Sequence, residues 1–216
     1  MGAIARSASN LVSTSGVWLK GGVNNDSFDN VTALPSSFAD GITLISSQTA
    51  SSSASLSFTS GITSTYKAYK FVFVNCHPAT NDAKFTFNMS TDSGSNYNVT
   101  KTTTFFIAYH SEDDTETGLG YSVGEDLAQG TGFQSLAQNI GNGADESVSG
   151  SLILFSPSST TYVKHFISRV SNYEEANRMF DCFSAGYGNT TSAVNAIQFK
   201  MSSGNFDGKI YLYGIK

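Results

Sequence analysis

Residues 66–75 read YKAYKFVFVN and residues 84–90 read KFTFNMS, and these two stretches decide the fold. In the second, Phe85, Phe87 and Met89 alternate with polar residues. Successive side chains of a strand point to opposite faces, so a two-residue period predicts a strand with one apolar face. In the first, nearly every position after Lys70 is apolar. That predicts a strand buried on both faces in the middle of a sheet. Pro78 then stops it, because proline has no N–H to give a ladder.

The same grammar continues on both sides. Ile42–Ile45 and Ala54–Phe58 precede, and in the latter Leu56 and Phe58 alternate with Ser. Thr102–Tyr109, Ser147–Phe155, Tyr162–Val170, Arg178–Ala185, Val194–Met201 and Lys209–Ile215 follow as strands. Asp92–Ser93–Gly94–Ser95 supplies a turn, with a glycine free to take positive φ. Residues 111–145 are the least regular part, with two short strands near Gly120–Val123 and Phe133–Ile140. Asn172–Asn177 allows one helical turn at most, and no stretch carries a helical stripe or a fixed-period repeat. The expected fold is all-β: an antiparallel β-sandwich or jelly roll over residues 41–216, behind an irregular N-terminal arm or attachment segment over residues 1–40. In that arm Gly21, Gly22, Asn24, Asn25 and Asp26 break any period, while Val17–Leu19 holds the single tryptophan, Trp18. It reads either as a lead-in that packs on another subunit or as a free terminus.

Composition narrows the function. The chain has 216 residues, long enough for one large β domain. Only 13% of residues are charged, and Ser and Thr fill roughly a quarter of the positions, so the polar surface is mostly hydroxyl and amide. Sixteen Phe and ten Tyr are enough for a real core. A net charge of −5 without a Lys/Arg cluster argues against nucleic-acid binding and against a polybasic membrane contact. Met1–Arg6 followed by Ser7–Ser9 is too polar for a secretory signal, and no apolar run nears the length of a membrane span, so no membrane insertion is expected. Cys76 and Cys182 lie in separate strand-like runs and are expected as buried reduced thiols, with a single disulfide as the other reading.

Motifs for chemistry are missing. His77, His110 and His165 are scattered, and Cys76 and His77, as neighbours on a strand, would face opposite ways. Glu112–Asp113–Asp114 with Glu116 lacks the register of a calcium loop and reads as a solvated loop, with a weak divalent site between subunits as the other option. No nucleophile elbow, zinc-protease helix motif or phosphate loop occurs. No catalytic, cofactor-binding or metal residue is assigned, and no cofactor is expected. Asn-x-Ser/Thr triplets, among them those at Asn30, Asn88, Asn98 and Asn189, are what so hydroxyl-rich a chain yields by chance. Tyr97, Tyr173, Tyr187 and Tyr211 are candidates for stacking on sugar rings, against the simpler expectation of cross-strand packing. If the chain recognises a surface, residues 111–145 are the expected contact region, since loops on rigid scaffolds carry function.

Three segments carry a family likeness: ISSQTASSSASLSFTSGITSTYKAYKFVFVN (Ile45–Asn75), FNMSTDSGSNYN (Phe87–Asn98) and VNAIQFKMSSGNFDGKIYLYGIK (Val194–Lys216). Together they resemble the β-sandwich modules of tailed-bacteriophage virion proteins, especially tail fibres and related appendages. The resemblance covers about residues 41–216 and implies a jelly-roll-like sandwich, assembled as a homotrimer and without catalytic residues. It implies a virion structural protein made in the host cytoplasm. The implied partners are itself, other virion proteins and a host-surface glycan or protein. The long shaft of a full fibre is absent from the sequence, which favours a short appendage or a capsid decoration (cement) protein. A polysaccharide-degrading enzyme is the remaining alternative, because paired carboxylates are defined in space rather than in sequence.

Overall fold

The computed structural model describes residues 41–216 and two short strands ahead of them. By its contacts the chain divides into two units, Met1–Ile42 and Thr43–Lys216. In the first, β1 (Val12–Ser13) pairs antiparallel with β2 (Gly16–Val17). The rest of the proposed arm, with Trp18 and Asn30, lies outside the described residues.

The second unit holds twelve strands: β3 (Ile42–Ser53), β4 (Leu56–Phe58), β5 (Ala68–Pro78), β6 (Ala83–Ser90), β7 (Lys101–Ser111), β8 (Thr117–Tyr121), β9 (Gln134–Ile140), β10 (Val148–Phe155), β11 (Lys164–Glu174), β12 (Arg178–Gly188), β13 (Ala196–Met201) and β14 (Phe206–Ile215). They join in one large antiparallel sheet that nearly closes into a barrel, and no helix occurs among the described residues. The order runs β3-β14-β5-β10-β11-β9-β6-β13-β4, with β12 on the other flank of β11, followed by β7 and β8. The sheet therefore forks at β11. β10 covers one flank as far as Asn172, and β9 takes over that flank at Glu174↔Ile140.

Aromatic rings fill the interior. Phe58, Phe71, Phe73, Phe85, Phe87, Phe166, Phe199 and Phe206 are each no more than 2% exposed. They meet mostly edge to face: Phe73–Phe85 at 5.0 Å between centroids, Phe73–Phe199 at 5.1 Å, and Phe87–Phe166 at 4.9 Å. Such pairs add to plain area burial because the ring edge is positive and the ring face negative. Large buried rings from strands distant in sequence therefore fix the fold.

The sequence reading needs correction at three places. β5 is central, between β14 and β10, but it is not buried on both faces. Tyr69, Phe71 and Phe73 point inward, whereas Lys70 and Val72 face outward and are only half-buried. At Val74–Asn75 the strand carries one extra residue against both neighbours, a bulge with Asn75 at φ 48°. The bulge resets the alternation so that Cys76 again faces the core. Gly208 of β14 sits opposite with φ 137°, where a Cβ would come 2.8 Å from the Asn75 carbonyl oxygen. Next, the strand expected at Ile42–Ile45 does not end there: β3 runs unbroken to Ser53. Finally, Asn172–Asn177 forms no helical turn; it is the end of β11 and the tight turn into β12.

β6 keeps its predicted alternation, with Phe85, Phe87 and Met89 buried, but Thr86, Asn88 and Ser90 on the other face are buried too. The chain leaving β6 and the crossover from β8 to β9 lie over that face. The Asn88 side-chain N–H groups reach Tyr97 O at 2.6 Å and Thr131 O at 2.9 Å. Its Oδ1 accepts the ammonium of Lys101 at 2.5 Å, and Lys101 also donates to Val99 O at 2.7 Å. Lys164, across β12 from Lys101 in the same row, donates to Ser159 O and Tyr162 O at 2.7 Å each. Both lysines are fully buried, and burial lowers both amines, that of Lys101 to about 7.

Candidate functional site

Two surface grooves collect charged side chains. The first, of about 380 Å³, lies on the outer side of β6 beneath the crossover between β8 and β9. Strand alternation puts Lys84 and Thr86 on one face of β6, and the register Thr86↔Ser135 and Thr86↔Lys200 sets three side chains in a row across β9, β6 and β13. The crossover supplies Gly124–Leu127 and Phe133 as the wall. It is held to β7 by Thr103 N–H to Leu127 O at 2.9 Å and by reciprocal backbone bonds between Lys101 and Gly130. The buried amide of Gln134 fastens it again, donating to Glu125 O at 2.8 Å.

Within this groove the charged groups are already engaged with neighbours. Lys84 forms an ion pair with Glu125, whose other oxygen accepts the Ser135 hydroxyl at 2.5 Å. The Lys200 ammonium rests 4.2 Å from the centre of the Phe133 ring, a cation–π contact. At the rim, Tyr121 donates to Asp126 at 2.6 Å, and that bond raises the phenol above its ordinary value. The result is a row of fixed donors and acceptors suited to hydroxyl-rich or charged ligands.

The second groove, of about 490 Å³, lies between the β7–β8 turn (Ser111–Glu116) and the β11–β12 turn (Ala176–Arg178). Arg178 is its centre: it donates to the two oxygens of buried Glu174 at 2.7 and 3.0 Å and to Glu116 at 3.1 Å. It also lies over the Phe180 and Tyr109 rings at 5.5 and 5.8 Å. These carboxylates hold the guanidinium well above its usual value. Hydroxyls of Thr115 and Ser111 lower Asp113, while the hydrogen bond to Glu112 raises Tyr173. Arg–carboxylate forks of this kind lock two turns together.

The residues singled out from sequence do not converge. His77 donates from Nδ1 to Glu146 O at 2.6 Å, His110 pairs with Ser111 O and Asp114, and the His165 ring meets Tyr187 at 6.0 Å. Cys76 and Cys182 are free, buried in separate strands, and burial pushes both thiols up to about 12. Among the described residues, no three His, Cys, Asp or Glu side chains are grouped to hold a metal ion. Of the tyrosines, Tyr97 turns its hydroxyl into the protein, where it is buried without a partner, and Tyr173, Tyr187 and Tyr211 are half-buried. Tyr211 packs beside Tyr213 under the Lys209 ammonium. Asn88 is interior, so its triplet is closed to a glycan, whereas Asn98 and Asn189 are exposed.

The irregular region 111–145 contributes to both grooves, through Ser111–Glu116 in one and Gly124–Ser135 in the other. Sequence reasoning missed Lys84, Lys200 and Arg178, which come from strands whose outward positions carry no local signal. It also missed the outer-face ladder in which Arg169 lies 4.7 Å over Phe183 and Phe183 stacks on Phe106 at 4.8 Å. Arg169 is further held by Asp181 at 2.6 Å. In comparisons with protein-family models, curated proteins and solved structures, none matches this chain.

Proposed function

We propose that this chain is a non-catalytic structural protein of a tailed-phage particle, a tail fibre or short appendage, whose β module meets a host-surface glycan or protein. The observation that carries the proposal is the first groove. Lys84, Glu125, Ser135 and Lys200 are fixed by one another and by Phe133, so they present bonding partners without a side chain poised as nucleophile or base. A rigid sheet with such a groove between crossover and strand suits recognition of a polyhydroxyl surface. The likeness of Ile45–Asn75, Phe87–Asn98 and Val194–Lys216 to phage appendage modules supports the particle setting. We read the nearly closed sheet as a jelly-roll-like sandwich, for which the ring contacts from β5 and β11 to β6 speak, and its assembly as a homotrimer.

The test has two parts. Antibody labelling of purified particles should mark the tail. Labelled protein should bind host cells, and Lys200→Ala together with Glu125→Gln should weaken that binding. Absence of the chain from particles would sink the virion role. Labelling over the whole shell would shift the role to capsid decoration, and turnover of host polysaccharide lost in Glu125→Gln would establish an enzyme instead.

A further inference from the structure

β8 is an open edge of the large sheet. It pairs with β7 on one side, and among the described residues no strand pairs with its other side. Ser111 N–H donates to Glu116 O at 2.9 Å and Ser122 N–H to Phe105 O at 3.0 Å, so these residues are the hydrogen-bonded pairs that bracket β8. In an antiparallel ladder bonded and non-bonded pairs alternate. Gly118 and Gly120 therefore bond to β7, and Thr117, Leu119 and Tyr121 aim their backbone N–H and C=O groups away from it.

The side chains of the same residues are apolar and exposed. Leu119 is 75% exposed and Tyr121 51%, beside Phe106 on β7 at 38%, and Val123 just past the strand reaches 82%. The opposite face of β8 is bare: Gly118 lies so close to the Tyr109 ring that a Cβ would come within 2.6 Å of it, and Gly120 has nothing within reach. Open edges of soluble proteins are ordinarily blunted by Lys, Pro or a covering element. Here the sequence has no Lys, Arg or Pro between Thr102 and Gly124, and the next Lys or Arg after Lys101 is Lys164.

Charge selects the occupant. Arg178 is shared between Glu174 and Glu116, and Lys84 balances Glu125. That leaves Glu112 and Asp113, with Asp114 beside His110, before the strand and Asp126 after it. Two copies joined by antiparallel β8 pairing about Leu119 would set residues 112–116 of one beside residues 122–126 of the other, acid against acid.

We propose that β8 accepts an added strand from another polypeptide: an extended segment, apolar at alternate positions, with Lys or Arg flanking both ends. Main-chain bonds to Thr117, Leu119 and Tyr121 supply the docking, apolar side chains cover Leu119 and Tyr121, and the flanking cations meet the acids. This site does not rest on the virion proposal, and it shares Tyr121 and Asp126 with the rim of the groove beneath the crossover.

The test uses the full chain and a fluorescent peptide of alternating Val and Thr with paired Lys at each end, read by anisotropy and by amide hydrogen exchange. Binding is expected, with the Leu119 and Tyr121 amides newly protected and those of Gly118 and Gly120 unchanged. A Glu-ended peptide of the same core should bind at least about ten-fold more weakly, and added salt should narrow the gap. Leu119→Pro removes one outward N–H without touching the ladder to β7 and should weaken the Lys-ended peptide about ten-fold. Leu119→Lys, which keeps every backbone donor, should weaken it through charge and the lost apolar cover. Equal binding of the two peptides, protection placed elsewhere, or self-association of the unliganded chain that Leu119→Lys abolishes would overturn the proposal.

Discussion

Lys101 offers the sharpest test of the interior, because its burial ties stability to pH with a definite sign. The side chain is fully buried, and its amine falls from 10.5 to about 7 through burial. A lowered folded-state value means that the unfolded chain binds more protons between pH 7 and 10.5, so stability rises with pH across that window. Below it the amine is protonated in both states and the cost of burying the charge is present in full. Between about pH 6.5 and about pH 8.5, proton linkage at roughly 1.4 kcal/mol per pKa unit gives at most about 2 kcal/mol of added stability. The perturbation is Lys101→Met, which keeps the length and removes the titration, while Asn88 Oδ1 retains the Met89 N–H at 2.9 Å. Urea unfolding of both proteins at several pH values measures it. Lys164 also gains stability with rising pH, while the two buried thiols lose it above their unfolded value, and these common contributions cancel in the difference. The wild type is expected to gain about 2 kcal/mol relative to Lys101→Met from the acidic to the alkaline end. Parallel curves would refute the assignment of a buried, readily deprotonated amine.

Three further outcomes are expected. Phe199→Ala, which removes a ring touching Phe58, Phe71, Phe73, Phe85 and Phe87, should cost about 3–5 kcal/mol in denaturant unfolding. Arg178→Ala leaves Glu174, 1% exposed, without its cation and should cost about 3–5 kcal/mol, whereas Arg169→Ala, at a pair whose guanidinium lies in solvent, should cost far less. Cys76 and Cys182 should resist a thiol reagent in native buffer and react together in urea, since burial keeps both protonated.

The strands were legible where one face is apolar and the other polar. KFTFNMS shows its period directly, and β6 follows it. YKAYKFVFVN looked apolar throughout because Val72 and Val74 sit on a half-exposed outer face, and a run of apolar residues cannot reveal a bulge. The strand character of Ser46–Ser53 was not legible, because it comes from a place beside β14 rather than from its own side chains. Sequence also cannot distinguish a buried Lys from a surface one. Lys101 and Lys164 are interior because loop carbonyls and Asn88 close around them after folding. The first groove was illegible for a related reason: Lys84, Glu125, Ser135 and Lys200 become neighbours only through the β9–β6–β13 register and the crossover. What was readable was that residues 111–145 lie where the surface is irregular, and both grooves draw on them.

The account depends most on the register that turns these aromatic and polar residues to their proper faces. Nuclear Overhauser contacts between Hα protons along β11 and β12 test it directly. They are predicted at the non-hydrogen-bonded pairs, every second one from His165↔Tyr187 to Tyr173↔Met179, with a further contact from Glu174 to Ile140 where the sheet forks. A helical pattern of sequential contacts over these segments would contradict the account. So would a register displaced by one residue, which would turn Phe166 and Val170 out to solvent.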